Sequence, residues 1–549
     1  MRLIQRIHPL DDAIVALRDL AAGQKLIEDG ASFTLVEKVP AKQKFAARDF
    51  AADDLVTMYG VIVGRTRVPI RAGGLLTPEN VEHATSHYTT KQADLVWAAP
   101  DVSRCSNRNF DGFRRADGLS GTANNWVVIP LVFCESRNLN MMREALVKAL
   151  GYELGGAYQE FAGRLAAAWR AGASRAEVER LKIDNPAPDG SAFRLFPHVD
   201  GVKFLDHGLG CGGTRQDSEG LCGLLAGYIN HPNVAGATVL SLGCQHTQVS
   251  LLEREIEKRN PRFQKPLHIF EQQKSASERD MIERALKATF LGIAQANDLR
   301  RAPCPVSDLT VGVKCGGSDG FSGLSANPAI GHCADLVIAL GGAAVLAEFP
   351  ELCGIEQSLC DRCVDTALAE RFVDLMRRYE RAAAACGSGF DANPSPGNIR
   401  DGLITDAMKS AGAARKGGTS PIVDVVDYPE PITKRGLTLL CTPGNDVECT
   451  TALSGSGCNL MLFSTGLGTP TGNPVCPTIK ISTNSELAAR MPDIIDFDAG
   501  AVIRGEKSIA ETGEALLDLC IEVASGRVVP KAVQLGQDDF LPWKRGVSL

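Results

Sequence analysis

Cysteines on glycine-rich turns are the residues of this chain whose type and setting best suit chemistry. Cys211, Cys244, Cys315 and Cys458 each lie beside one or more glycines, close to apolar runs that predict buried strands. Open backbone N–H groups around a thiol can lower its pKa and suit a metal or an anion, and strand ends are where open α/β sheets bind ligands. Because thiolates select iron or zinc over magnesium, we predict Cys211, Cys244 and Cys315 as metal ligands, with Cys458 the weakest candidate.

Candidate proton carriers lie near these turns. His207 precedes Cys211 and His246 follows Cys244, so either is a ligand, a proton carrier or a histidine with only structural hydrogen bonds. Asp319 and Asp446 lie on turns, where they either act on a substrate or bond their own turn backbone. The residue types alone leave these alternatives open.

Two further glycine-rich segments, 454–458 and 465–472, carry hydroxyl groups. Their N–H and hydroxyl groups could hold a carboxylate or a polyol. The common nucleotide patterns fit poorly, because Gly-x-x-x-x-Gly-Lys-Ser/Thr is missing. Gly208, Gly210 and Gly213 have the spacing of the dinucleotide-binding motif Gly-x-Gly-x-x-Gly. The helix that should begin directly after this motif and the acidic residue that should follow later are both missing from the pattern.

Composition narrows the class of protein. The 549 residues are 44% hydrophobic and 22% charged with a net charge of −7, which is typical of a globular protein of about three domains and disfavours a large nucleic-acid footprint. No apolar run has the length of a signal peptide or a membrane span, so we expect no membrane partner. The 17 cysteines then indicate reduced thiols in the cytoplasm.

The elements that must position these residues are predicted as α/β. Residues 1–97 read as a small β-rich domain with one helix over 12–20, and 98–119 as a polar linker. From there, buried strands alternate with amphipathic helices, which predicts a large α/β region of two subdomains, 120–333 and 334–549. A strand is predicted over 336–340 at the start of the second subdomain.

Longer motifs carry a family resemblance. They are the segment 314–328 with Lys-Cys-Gly-Gly-Ser-Asp-Gly, Asn-Pro-Ser-Pro-Gly-Asn at 393–398, Pro-Gly-Asn-Asp at 443–446, Phe-Ser-Thr-Gly at 463–466 and Thr-Asn-Ser-Glu-Leu-Ala at 483–488. In this order they resemble the altronate and galactarate dehydratase family nearly end to end, and residues 1 to 95 are similar to its SAF-type N-terminal module. The opening segment 7–13 is closer to altronate than to galactarate dehydratases.

The resemblance implies elimination of water from a sugar acid, altronate giving 2-keto-3-deoxygluconate, with help from ferrous iron or manganese. That reaction needs a base at C2, stabilisation of the enediolate on the carboxylate, and a proton for the leaving C3 hydroxyl. We predict Lys480 or His207 as the base, and Asp319 or Asp446 as proton donor or orienting group. The candidate substrate-binding residues are Gly316, Gly317, Ser318, Asn327, Asn445, Thr465, Gly466 and Asn484.

Alternatives remain open from the sequence. Gln43 stands where the family usually has a histidine, which leaves His83 or Glu79 as nearby metal ligands. An iron-sulfur cluster on Cys211, Cys244 and Cys315 is a rival cofactor. Galactarate or another aldarate or aldonate is the alternative substrate. The alternative function is a non-catalytic protein that binds sugar acids. A homo-oligomer is a further hypothesis.

Overall fold

The computed structural model describes residues 2–28, 30–153, 157–183 and 194–549. Short antiparallel strands build the N-terminal β domain, in small sheets ordered β1-β2-β5-β8, β3-β4 and β6-β7-β9. These strands are β1 Ile4–Gln5, β2 Ala13–Ala16, β3 Lys25–Glu28, β4 Ala31–Thr34, β5 Lys44–Ala46, β6 Leu55–Met58, β7 Val61–Thr66, β8 Leu75–Leu76 and β9 Val81–Glu82.

The helix predicted over 12–20 is wrong. Residues 13–16 form β2, whose four side chains are all buried between β1 and β5. A short apolar run that is buried on both faces has no strand-like alternation, so periodicity alone cannot separate it from a buried helix. The β-branched Ile14 and Val15 favour the extended form.

A first parallel sheet follows, with the order β13-β12-β14-β15, and a small antiparallel sheet joins β10, β11 and β16. The strands are β10 Asn109–Arg114, β11 Ser120–Gly121, β12 Asn125–Pro130, β13 Gly201–Phe204, β14 Val234–Ser241, β15 Leu267–Glu271 and β16 Ala302–Pro305. The helices are α1 Ser136–Ala149, α2 Ala157–Arg170, α3 Arg175–Arg180, α4 Arg215–Asn230, α5 Val249–Arg259 and α6 Glu278–Ala296.

A second parallel sheet has the order β19-β20-β18-β17-β21-β22-β23. Its strands are β17 Thr310–Cys315, β18 Ala343–Leu346, β19 Ile422–Val426, β20 Gly436–Leu440, β21 Leu460–Thr465, β22 Thr478–Ser482 and β23 Phe497–Asp498. The helices around it are α7 Ala326–Ala339, α8 Glu356–Arg362, α9 Thr366–Ala385, α10 Pro396–Arg400, α11 Asp406–Ala413, α12 Asp446–Gly455, α13 Ser485–Arg490, α14 Gly500–Arg504, α15 Ile509–Ala524 and α16 Lys531–Gln534.

The strand predicted over 336–340 is wrong, because these residues belong to the end of α7 and its C-cap. Helix α7 is buried along most of its length, so it lacks the polar stripe that marks a surface helix. The predicted division between residues 333 and 334 falls inside this helix, and β17 before it pairs with β18 and β21. Strand β10 likewise lies within the predicted linker and pairs with β16.

The predicted fold class is confirmed: a small β-rich domain precedes two α/β regions with parallel sheets. Helix α11 docks on the N-terminal β domain, where the Thr405 hydroxyl donates to the Val63 carbonyl at 2.6 Å. None of the helices within the described ranges has the length and apolar character that crossing a bilayer requires.

Candidate active site

The strands of the second parallel sheet end along one edge of that sheet, which we call its carboxyl edge. Strands β18, β19 and β20 lie on one side of β17, and β21, β22 and β23 lie on the other. Such a reversal opens a crevice between the central strands, β17 and β21, at their carboxyl ends. Here the Gly316 N–H donates to the Ser464 carbonyl and the Gly466 N–H donates to the Gly317 carbonyl, each at 3.0 Å. The two glycine loops therefore share one edge.

A buried chain of alternating charges fills this edge. The Lys314 ammonium contacts the Glu348 carboxylate and lies 2.8 Å from Oδ1 of Asp446. The other Glu348 oxygen is 2.8 Å from Nζ of Lys416, which in turn lies 3.2 Å from Sγ of Cys315. Lys314, Glu348 and Lys416 are fully buried, whereas the Asp446 side chain is 28% exposed. Asp446 is thus the solvent-facing end of the chain.

A second ion pair adjoins this chain. Nζ of Lys409 lies 2.9 Å from Oε1 of Glu351 and donates to the Asn393 side-chain carbonyl at 2.7 Å. The Asn393 amide donates to the same Glu351 oxygen at 3.1 Å. Burial alone would raise the pKa of Glu351, but the ammonium groups of Lys409, Lys314 and Lys416 lower it below its usual range. Glu351 is therefore an anion.

The lysines of the chain stay protonated and the thiol stays neutral. Burial alone would lower the pKa of Lys314, but Asp446 and Glu348 raise it well above the usual value. The pKa of Lys416 is likewise raised, by Cys315, Glu348 and Glu351 against burial. Burial raises the pKa of the Cys315 thiol to about 11. At neutral pH, Cys315 is a thiol among ion pairs rather than a thiolate.

Glu348 has an unusual backbone. Its φ of 68° and ψ of 58° lie in the left-handed region, which costs a residue other than glycine about 1–3 kcal/mol. The conformation directs its carboxylate between the two buried lysines, while its N–H donates to the Thr442 hydroxyl at 2.9 Å. Backbone strain at a buried charge is typical of functional sites.

Two other lysines at this edge have pKa values close to neutral. Burial lowers the pKa of Lys480, on β22, to about 8, and its Nζ donates to the Thr469 carbonyl at 2.8 Å. Burial lowers the pKa of Lys44, on β5 of the N-terminal β domain, to about 7, and its Nζ donates to the Gly402 carbonyl. An amine with such a pKa is partly neutral at physiological pH and can accept a proton.

Asp319 joins the N-terminal β domain to the edge. Its buried Oδ2 lies 3.0 Å from Nζ of Lys42, and the Thr483 hydroxyl and the Asn484 amide donate to the same oxygen at 3.1 and 3.3 Å. Its Oδ1 accepts from the Ser322 hydroxyl at 3.1 Å. Because these donors already occupy both of its oxygens, Asp319 suits an orienting role.

Two groups of side chains within the described ranges could supply several metal-ligand atoms at close range, namely Cys315 with Glu348 and Glu351, and His83 with Cys353 and Asp406. The first does not fit a cation. Its carboxylates are already neutralised by the ammonium groups of Lys314, Lys409 and Lys416, and three fixed positive charges would repel a divalent ion.

Comparisons with known proteins agree along nearly the whole chain. Residues 2–84 match the altronate/galactarate dehydratase SAF domain, 112–297 the D-galactarate dehydratase/altronate hydrolase second domain, and 306–548 the D-galactarate/altronate dehydratase C-terminal domain. Altronate dehydratase of Escherichia coli is 35% identical over 95% of both chains. Altronate dehydratase of Bacillus subtilis is 31% identical over 96% of both chains. The chain belongs to the altronate/galactarate dehydratase family. Galactarate dehydratase of Escherichia coli is 29% identical over 95% of this chain and 92% of its own length.

As a member of the altronate/galactarate dehydratase family, the protein is a hydro-lyase. The family assignment makes the β-rich N-terminal domain a SAF domain. The carboxyl edge of the second parallel sheet lies in the segment that matches the family's C-terminal domain, and Lys42 and Lys44 reach it from the SAF domain.

The structure brings many of the predicted site residues to this edge. Gly466 is placed so closely that an added β-carbon would lie 2.7 Å from Cβ of Asp319. The Thr465 hydroxyl accepts N–H groups from its own loop. Asn445 is the N-cap of α12 and Asn484 is the N-cap of α13. The Asn484 side-chain amide also donates to Asp319. The predicted residues at the edge are Cys315, Gly316, Gly317, Ser318, Asp319, Asn445, Asp446, Thr465, Gly466, Lys480 and Asn484.

Other predicted residues lie elsewhere or are already engaged. His207 follows β13 of the first parallel sheet. Its Nε2 donates to the Pro130 carbonyl at 2.7 Å, and its Nδ1 accepts from the Leu209 N–H. Burial lowers the pKa of His207 to about 4. Both ring nitrogens are therefore occupied. Cys211 and Cys244 are exposed, follow strands of the same first sheet, and belong to neither ligand group described above. Asn327 lies behind the edge, bonded to Gly412 and Ser464.

The sequence predictions did not include several charged residues of the site. Glu348 follows the apolar strand β18, so an acid directly after a buried strand was a usable signal. Lys409 and Lys416 lie on and after α11, where no local pattern distinguishes them from surface lysines. Lys44 comes from a different domain, so only the tertiary structure places it here.

Replacing Gly316 with alanine is expected to destabilise the protein. The added β-carbon would lie 2.6 Å from both Oδ1 of Asp446 and Cζ of Phe463, and overpacking of this kind costs about 1–3 kcal/mol of unfolding free energy. Urea denaturation measures the loss. Gly208→Ala is the matched control, because no atom lies within 4 Å of its added β-carbon. Equal stability of the two variants would show that Asp446 does not pack over Gly316.

Proposed function

We propose that the enzyme dehydrates a sugar acid, D-altronate, to 2-dehydro-3-deoxy-D-gluconate and water. The observation that carries the proposal is Lys480, a buried amine with a pKa of about 8, at a sheet edge where Lys314 holds the Asp446 carboxylate. Altronate is favoured as substrate because the identity to the two altronate dehydratases, 35% and 31%, exceeds the 29% identity to galactarate dehydratase.

The proposed reaction begins at C2. The neutral Lys480 amine takes the C2 proton, and the electron pair of the broken C–H bond forms the C2–C3 double bond as the C3 hydroxyl departs. The ammonium so formed carries the proton that this hydroxyl needs to leave as water. The enol that remains takes a proton from solvent at C3 and releases the proton of its C2 hydroxyl to solvent, which gives the 2-keto acid, so atoms and charge balance.

Charged neighbours orient the substrate in this proposal. The Asp446 carboxylate is paired with Lys314 and partly exposed, so in this proposal it accepts hydrogen bonds from the polyol hydroxyls. Lys42 keeps 21% of its side chain exposed beside Asp319 and attracts the substrate carboxylate. Positive charge near that carboxylate stabilises the enediolate character that develops in the transition state.

The ferrous or manganese ion expected from the resemblance stays a prediction, and the steps above describe only what the chain's own groups do. The ligand group around Cys315 does not fit a cation, and Cys211 and Cys244 do not converge with it, so neither that ion nor the alternative iron-sulfur cluster is assigned to these three residues. Every step above uses the chain's own groups. The cytoplasmic location and the homo-oligomer stay predictions.

A substrate panel tests the proposal. Purified protein is incubated under reducing conditions with altronate, galactarate or glucarate, with and without ferrous iron, and the 2-keto acid is quantified. We expect the highest kcat/KM for altronate. A higher value for galactarate would overturn the substrate assignment alone, and no product from any of the three would favour the non-catalytic binding protein.

A further inference from the structure

A second set of ligand atoms lies where the SAF domain meets the C-terminal domain. His83 directly follows β9, Cys353 follows the turn after β18, and Asp406 begins α11. Their ring nitrogen, thiol sulfur and carboxylate oxygen lie within 4.8 Å of one another. Three separate elements thus converge on one point.

Close packing holds these elements in place. Gly354, next to Cys353, has a φ of +91°, and an added β-carbon there would lie 2.9 Å from Cγ2 of Thr85 and 3.0 Å from Cβ of Ala407. Only glycine allows the three backbones to approach so closely. The hydrogen bond from the Thr405 hydroxyl to Val63 fixes the start of α11 on the SAF domain.

The group carries buried negative charge without a matching lysine or arginine. Asp406 is 4% exposed. Its carboxylate faces the His83 ring and the Cys353 thiol, and no other group of the described residues donates a hydrogen bond to it. Glu356, also 4% exposed, accepts the Gly354 N–H at 2.7 Å. No lysine or arginine within the described ranges forms an ion pair with either carboxylate.

Neighbouring acids add to this charge. The carboxylates of Asp406 and Glu380 lie close enough to Glu356 to interact with it electrostatically. The His83 ring nitrogen contacts the Asp406 carboxylate directly. Buried carboxylates gathered in this way cost folding free energy, and a bound cation would offset part of that cost.

We propose that His83, Cys353 and Asp406 bind a divalent transition-metal ion of the zinc or ferrous class, with Glu356 as the nearby fourth carboxylate. Nitrogen, sulfur and oxygen donors together are typical ligands of these ions, and magnesium or calcium would take oxygen ligands alone. On binding, the Cys353 S–H bond breaks, its electron pair goes to the metal and its proton to solvent.

The proposed ion would fasten two elements that also serve the candidate active site. Cys353 shares its segment with Glu351, and Asp406 shares α11 with Lys409. The Glu351–Lys409 ion pair therefore lies one helical turn from the proposed ligands. Unlike the Cys315 group, this group is paired with no lysine of the described residues that would repel a metal. The proposal stands apart from the proposed reaction, whose steps are derived from other residues.

Cobalt(II) is a direct probe of this site, because a thiolate–cobalt bond gives a charge-transfer absorption band. The full-length protein is stripped with a chelator under reducing conditions and titrated with CoCl₂. We expect one equivalent to bind with the sulfur band. Cys353→Ser should abolish the band, and His83→Ala and Asp406→Asn should each weaken binding at least about tenfold, since even outer-shell losses cost 10–100-fold.

Matched controls separate this site from others. His87→Ala and Cys386→Ser remove an exposed histidine and an exposed cysteine, and both should bind cobalt like the original chain. Circular dichroism confirms that each variant is folded. Absence of the sulfur band from the original chain, or its persistence in folded Cys353→Ser, would overturn the proposal. Neither readout needs substrate, so the result is independent of the proposed dehydration.

Discussion

Replacing Lys480 with methionine is expected to lower kcat for altronate dehydration by about 10²–10⁴-fold, the usual contribution of a positioned acid or base. Methionine has a similar length but cannot take a proton. The fold should survive, because burial lowers the pKa of Lys480 and the protonated amine therefore costs folding free energy at neutral pH. Steady-state kinetics on the purified variant measures the loss.

The pH profile separates a base from a merely structural lysine. Below a pKa of about 8, Lys480 is protonated and cannot accept the C2 proton, so kcat/KM of the original chain should rise with pH and level off above that value. The Lys480→Met variant should lose this limb. Lys507→Met, at an exposed lysine, is the control and should keep both rate and profile. An unchanged limb in Lys480→Met would exclude Lys480 as the base.

Replacing Glu348 with glutamine is expected to lower the free energy of unfolding by about 3–5 kcal/mol, because the change leaves two buried ammonium groups without their shared carboxylate. Lys314 and Lys416 both contact Glu348, and all three side chains are fully buried. The amide has almost the same shape, so the loss reports charge rather than packing. Chemical denaturation followed by circular dichroism measures it.

An exposed ion pair provides the comparison. Glu430 pairs with Arg371, and both side chains are about half exposed. Glu430→Gln should therefore cost no more than about 1 kcal/mol. If Glu348→Gln were as mild as this control, Glu348 would not hold the buried lysines together, and its left-handed backbone would need another reason.

Parallel strands made part of the site predictable from the sequence. Glycine turns after buried strands must meet at one edge when those strands share a sheet, and this places Gly316, Asp446 and Thr465 together. The sequence does not say which strands share a sheet. Cys211 and Cys244 have the same local pattern as Cys315 but follow strands of the first parallel sheet.

The charged part of the site depends on tertiary structure. Lys416 lies after a helix, and Lys44 is contributed by another domain, so neither has a local signal. The buried apolar runs at 13–16 and 336–340 misled the secondary-structure predictions for a related reason: burial on all sides removes the periodicity that distinguishes a strand from a helix.

The most direct test of the proposed dehydration follows the reaction of altronate in D₂O by proton NMR. With the original chain, we predict a 2-dehydro-3-deoxy acid that carries one solvent-derived deuterium at C3, because the enol is protonated there after water leaves. Lys480→Met should form this product at least about a hundredfold more slowly. Altronate that persists unchanged with the original chain, with and without ferrous iron, would contradict the proposed reaction.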